Sequence, residues 1–179
     1  MDKSLDKLAT ALERVRTVLT RRPDNGIHDD APATARWHGG TRFVASHANG
    51  TALSTDMPSE MGGSGDQVTP GWLFRAGLAA CAATSITMAA AAQGMRLRAL
   101  EVRAGSRSDS RGLLGMADAD GLPVYGGPGD MQLQVRIAAE AATPEQLRAL
   151  VRDAVGRSPV PSAVQSATPL ALQIDVDPA

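Results

Sequence analysis

The stretch 78-LAACAATSITMAAAAQG-94 decides how the rest of the chain is read. It is built from small and apolar residues, carries no charge from Ala76 to Ala92, and holds Cys81, the only cysteine among 179 residues. Just upstream, Thr69-Pro70 supplies an N-cap and a first-turn proline at a position where no N–H is needed. Gln93-Gly94 supplies the end. One long helix therefore runs between these signals. Seventeen uncharged residues, 76 to 92, lie at the lower edge of a membrane span. Alanine, threonine and serine give little insertion energy, so the reading is a buried helix of a soluble, cytoplasmic protein that does not enter a membrane.

Upstream of this helix, residues 4–22 place Leu5, Leu8, Leu12, Val15 and Leu19 at alternating spacings of three and four. That is the apolar stripe of an amphipathic helix, which can dock on the body of the protein or pair with another chain. The linker 23-PDNGIHDDAP-32 follows. The chain thus divides into an N-terminal helix and linker, 1–32, and a domain over 33–179. Thr34–His38, Thr41–His47 and Thr51–Asp56 predict an antiparallel meander, turned by Gly39-Gly40 and Asn49-Gly50. The segment 58-PSEMGGSGDQ-67 reads as a loop.

Downstream, Leu100, Val102 and Ala104 alternate with Glu101 and Arg103, and Met131, Leu133, Val135 and Ile137 alternate with Gln132, Gln134 and Arg136. Each set predicts a strand with one buried face. Between them, residues 105–130 are turn-rich, with at most a short strand near Leu113–Met116. Thr143-Pro144-Glu145-Gln146 combines an N-cap, a first-turn proline and a capping-box glutamine, opening a helix to about Arg157. Ser158-Pro159-Val160-Pro161 interrupts it, a short helical segment runs to Ser166, and Leu170, Leu172, Ile174 and Val176 predict a last strand. Strands are grouped rather than alternating strictly with helices, which points to an α+β fold.

A formal charge of -1 offers no electrostatic footprint for nucleic acid. A single cysteine cannot form an intramolecular disulfide. His28, His38 and His47 are the only histidines and show no metal-ligand spacing, so neither a metal nor a cofactor is expected. The Ser, His and carboxylate residues are too scattered for a triad, and Gly62-Gly63 and Gly126-Gly127 lack the pattern of a phosphate cradle.

Cys81 remains. Alone among alanines it reads as a small packing residue, since free cysteine is often buried. To react it must be a thiolate, stabilised by a nearby cation. Three turns into its helix, it is too deep for the helix N-terminus to help. Arg75 lies six residues away on another face, whereas Arg36 and Arg42 sit in the meander, where folding can bring either across.

The frame 69-TPGWLFRAGLAAC-81, with 36-RWHGG-40 before it and 156-GRSPV-160 after it, resembles the OsmC/Ohr family from about Ala33 to the C-terminus. The resemblance implies an OsmC-like α+β fold. Antiparallel sheets surround a long central helix in an intertwined homodimer whose active sites lie at the subunit interface. The N-terminal helix is an addition. It also implies reduction of organic hydroperoxides in oxidative stress defence. A peroxidatic cysteine on the central helix becomes a sulfenic acid, and a second cysteine before a Pro-Val pair resolves it as a disulfide. An arginine from the early strands and a glutamate just after the helix-opening proline organise the thiolate.

By this resemblance Cys81 stands at the peroxidatic position and Arg42 or Arg36 at the arginine. Gly71 replaces the glutamate, and Ser158 replaces the resolving cysteine. Two activities follow as alternatives. One is a one-cysteine, thiol-dependent peroxidase served by an external thiol reductant. The other is a non-catalytic homodimer that binds a small hydrophobic ligand in its interface pocket. A purely structural role, with the N-terminal helix as contact surface, is the third reading.

Overall fold

The computed structural model describes residues 3–166 and 168–177. The amphipathic segment forms helix α1, Lys3–Arg21, followed by a 3-10 turn at Pro23–Gly26. The meander consists of β1 (Thr34–Trp37), β2 (Phe43–Ser46) and β3 (Ala52–Thr55), antiparallel in the order β1-β2-β3. Its first turn depends on Gly39 and Gly40, with φ of 99° and 54°, angles that side chains bearing a Cβ rarely adopt. The second turn uses Gly50, φ 90°, beside Asn49, whose Oδ1 accepts a hydrogen bond from the Thr51 N–H.

Helix α2 spans Pro70–Ala92. Thr69 caps it, its hydroxyl accepting from the Trp72 N–H at 3.2 Å, and Gly94 leaves it at φ 66°. Strands β4 (Leu97–Arg107) and β5 (Gly129–Ala139) form a long antiparallel ribbon. Helix α4, Pro144–Gly156, opens on the expected capping box: Thr143 Oγ1 accepts from the Gln146 N–H, and Gln146 Oε1 accepts from the Thr143 N–H. Helix α5, Pro159–Gln165, follows Ser158. Between β4 and β5 the chain makes a short helix α3, Ser110–Leu113, rather than the short strand expected near Leu113–Met116. Asp109 caps α3 by accepting from the Arg111 N–H, and Gly115 at φ 66° turns the chain away before a strand can extend.

The core lies between α2, α4 and the β4–β5 ribbon. Leu78, Ala82, Ile86 and Ala90 recur every four residues on α2 and are buried. Ile86, Ala89 and Ala90 pack with Leu150 and Ala154 of α4, and Leu100, Val102, Val135 and Ile137 of the ribbon close the cluster. With so few aromatic residues, close approach of backbones replaces bulky side chains; alanine on α2 is what permits it. By length and composition α2 could cross a membrane. Its buried stripe and its contacts with α1, β4, α4 and α5 make it the central helix of the folded body. Helix α1 docks against it through the face bearing Leu5, Leu8 and Leu12.

The expected strand at Leu170, Leu172, Ile174 and Val176 does not form. These residues are coil, and all four are at least 73% exposed. A strand needs an edge to hydrogen-bond and a face to bury, and this segment finds neither among the described residues of its own chain. The meander is similarly uncovered: every residue of β1 is exposed, Trp37 to 68%.

Candidate functional site

Cys81 sits at the middle of α2, half-buried, with Ser85 one turn further along the same face. The third member comes from far away in sequence. Ser158 is the N-cap of α5, yet its side chain makes no capping hydrogen bond. Instead it turns inward, is fully buried, and places Oγ 3.3 Å from Cys81 Sγ and 2.9 Å from Ser85 Oγ. Ser85 donates to Ser158 Oγ, which leaves the Ser158 proton available to the sulfur. Proline at positions 159 and 161 fixes this corner, because it rules out a continuous helix from α4 and sends the chain across α2.

Cys81 and Ser85 also line a cavity of about 630 Å³. Its walls are apolar at Leu12, Met88, Ala92 and Pro159, and two cations, Arg16 of α1 and Arg157 at the end of α4, line it. Among the described residues no group of three His, Cys, Asp or Glu side chains is placed to hold a metal ion.

Within the chain, Arg42 is held elsewhere. It donates to Asp56 Oδ2 at 3.1 Å and also contacts Ser64 and Asp66. Asp56 is buried and well satisfied: Ser64 Oγ is 2.6 Å from Oδ2, Thr41 Oγ1 donates to Oδ1 at 2.6 Å, and the Ser64 and Met57 N–H groups donate as well. The Ser64 hydroxyl, then Thr41 and the Ser64 amide, hold the Asp56 carboxyl far below the usual carboxylate range. The Ser64 hydroxyl likewise leads in lowering Asp66. This network ties the loop after β3 back to the meander. Arg36 is exposed on β1, and neither it nor Arg42 lines the Cys81 cavity. Arg75 turns away, donating to Ser106 of β4 at 3.3 Å. Gly71 lies exposed in the first turn of α2, and a Cβ there would have only ordinary contacts, the nearest being Arg75 Nη1 at 3.6 Å.

The structure thus joins Cys81 to Ser158, the residue that the family resemblance puts in place of a resolving cysteine, and does not join Cys81 to Arg36 or Arg42 of the same chain. Three neighbours escaped the sequence reading. Ser85 was recoverable, being four residues from Cys81 and on its face. Arg16 follows Leu12 by one turn on the α1 stripe, and Arg157 adjoins Ser158, but nothing local announces that α1 lies over this part of α2.

The profile of the family described as OsmC-like protein matches residues 63–173. No curated protein sequence matches the chain. Among solved structures, an OsmC-like protein from Mycoplasma pneumoniae superposes with a TM-score of 0.63 at 16% identity, covering 78% of this chain and 89% of that one. An organic hydroperoxide resistance protein OsmC from Legionella pneumophila gives 0.54 at 24% identity, over 77% and 92% of the two chains. A protein described as an organic hydroperoxide resistance protein from Vibrio cholerae, with captopril in one of its active sites, gives 0.51 at 29% identity, over 78% and 88%.

Proposed function

This chain belongs to the OsmC-like family, and we propose that it reduces organic hydroperoxides with Cys81 as its sole redox thiol. The observation that supports this most directly is the pairing of Cys81 with Ser158 at 3.3 Å beside an open apolar cavity. In the proposed reaction the Cys81 thiolate attacks the terminal peroxide oxygen and the O–O bond breaks. The sulfur is oxidised to sulfenic acid, and the alkoxide leaves as the alcohol after taking a proton. Ser158 cannot close a disulfide, so external thiol performs the reduction that a second cysteine performs elsewhere in the family.

The working form we propose is a cytoplasmic homodimer. The uncovered meander carries Arg36 and Arg42 together with exposed Trp37, and the alternating segment Leu170–Val176 has no strand partner among the described residues. A second copy supplies both a sheet edge and a face, and it brings the meander of one chain near the central helix of the other. Arg36 or Arg42 would then serve the partner's thiolate. Such apolar exposure on a folded chain marks an interaction surface.

The apolar lining of the cavity favours one alternative, a dimer that binds a small hydrophobic ligand without turning it over. Consumption of cumene hydroperoxide with several thiol donors separates the two, comparing the natural chain with Cys81→Ser. Cysteine-dependent turnover, with sulfenic acid trapped at Cys81, is the expected result. Absence of such turnover with every donor overturns the peroxidase and leaves the binding protein.

A further inference from the structure

Helix α1 lies outside the matched family region, yet it forms one wall of the cavity over Cys81, through Leu12 and Arg16. Arg157 lines the same cavity, and among the described residues no carboxylate does. Among the described residues each arginine has only a local ion-pair partner: Glu13 at 3.7 Å from Arg16, one turn away on α1, and Asp153 of α4 at 2.9 Å from Arg157. All four side chains are more than 60% exposed. Pairs of this kind are weak and exchange readily for a better-placed anion.

The chain has one cysteine, and the buried group beside it is a hydroxyl. Whatever reduces oxidised Cys81 must therefore come from outside, and the cavity is the opening on which Cys81 lies. The attacking species is a thiolate, so cations at the entrance favour its approach, and they favour it most when the thiol carries a carboxylate for a guanidinium to grip. We propose that Arg16 and Arg157 form a carboxylate-binding subsite that docks an anionic low-molecular-weight thiol for attack on oxidised Cys81. Its physiological use rests on the peroxidase reading above; the subsite itself does not.

The chemistry balances with two thiols. The first thiolate forms an S–S bond to Cys81 as the S–O bond of the sulfenic acid breaks, and hydroxide leaves as water with one proton. The second attacks the outer sulfur of that mixed disulfide, releasing the Cys81 thiolate and a small disulfide. Two electrons pass from the two thiols to the sulfenic sulfur.

The test uses the full chain, and its main arm needs no peroxide. Cys81 is converted to its mixed disulfide with the neutral 2-thiopyridyl group, and release of thiopyridone is followed with 3-mercaptopropionate, 2-mercaptoethanol and cysteamine. Each rate constant is divided by that of the same thiol with the pyridyl disulfide of N-acetylcysteine amide. The corrected rate for the anionic thiol should exceed that of the neutral one by about fivefold at low salt, with cysteamine lowest, and the gap should shrink in about 0.5 M salt. Arg16→Ala with Arg157→Ala should bring the three to parity; the double lysine variant should keep most of the preference, and Arg14→Ala all of it. Equal corrected rates in the natural chain, or a preference that survives the double alanine variant, overturn the proposal. So does a charge preference confined to the peroxide step, measured with anionic and neutral hydroperoxides, because the arginines would then serve the oxidant. Failure of cumene hydroperoxide turnover with a retained thiol preference would remove the peroxidase reading and not the subsite.

Discussion

Substituting Ser158→Cys should produce a disulfide with Cys81. The two side-chain termini stand 3.3 Å apart, and a disulfide needs about 2.05 Å, a closure within reach of small side-chain rotations. The bond would join residues 77 apart in sequence. Closing a loop of that length restricts the unfolded chain by about 4.5 kcal/mol at 25 °C, before any strain in the native state. Ser85 loses a good acceptor in the exchange, which returns about 1 kcal/mol. For 179 residues the unfolding entropy is about 0.38 kcal/mol/K, so the remaining gain of about 3.5 kcal/mol corresponds to about 9 °C in melting temperature. The assay is a thiol titration after mild oxidation, with peptide mapping, and thermal unfolding with and without reductant. Loss of both thiols and a reductant-sensitive rise in melting temperature are expected. Two thiols that stay titratable after oxidation would refute the placement of Ser158 against Cys81.

Replacing Ile86, fully buried at the centre of the core, with alanine should cost about 3 kcal/mol, read as a lower urea midpoint with the slope unchanged. Gly63→Ala should destabilise by about 1–3 kcal/mol, because a Cβ there would fall 1.8 Å from the Met57 carbonyl oxygen, a backbone atom that cannot step aside. The Asp56 network should respond to acid in a defined direction. The folded carboxyl is held below its unfolded value of about 3.9, so its contribution is fully present above that pH and is lost as pH falls towards the folded value. Limited proteolysis of the loop at residues 57–67 should therefore accelerate below about pH 4, and Asp56→Asn should show that faster cleavage already at pH 7.

Most helices were legible because their signals are local. Thr69-Pro70 and Thr143-Pro144 each put a hydroxyl acceptor and a donor-free proline at a helix start, and both helices begin there. Alternation in 131–137 reports a strand with one buried face, and β5 shows that burial pattern. The same alternation misled at Leu170–Val176. Period two records that a face is to be buried, and says nothing about which chain supplies the cover. The segment 105–130 resisted for another reason: its capping aspartate and its glycines set the path residue by residue, with no periodicity to read.

The site divides along the same line. From the sequence alone came the long alanine-rich helix and the position of Cys81 within it, since each depends on spacing within one segment; Ser158 as the counterpart to look for came from the family resemblance carried by 156-GRSPV-160. Only the tertiary structure decided that Ser158 abandons its capping role to meet Cys81 and Ser85, that Arg42 is bound by Asp56 and Asp66 within its own chain, and that α1 brings Arg16 over the cavity. These are contacts between residues tens of positions apart. They are set by which surfaces bury one another, and a pattern read along the chain contains no term for that choice.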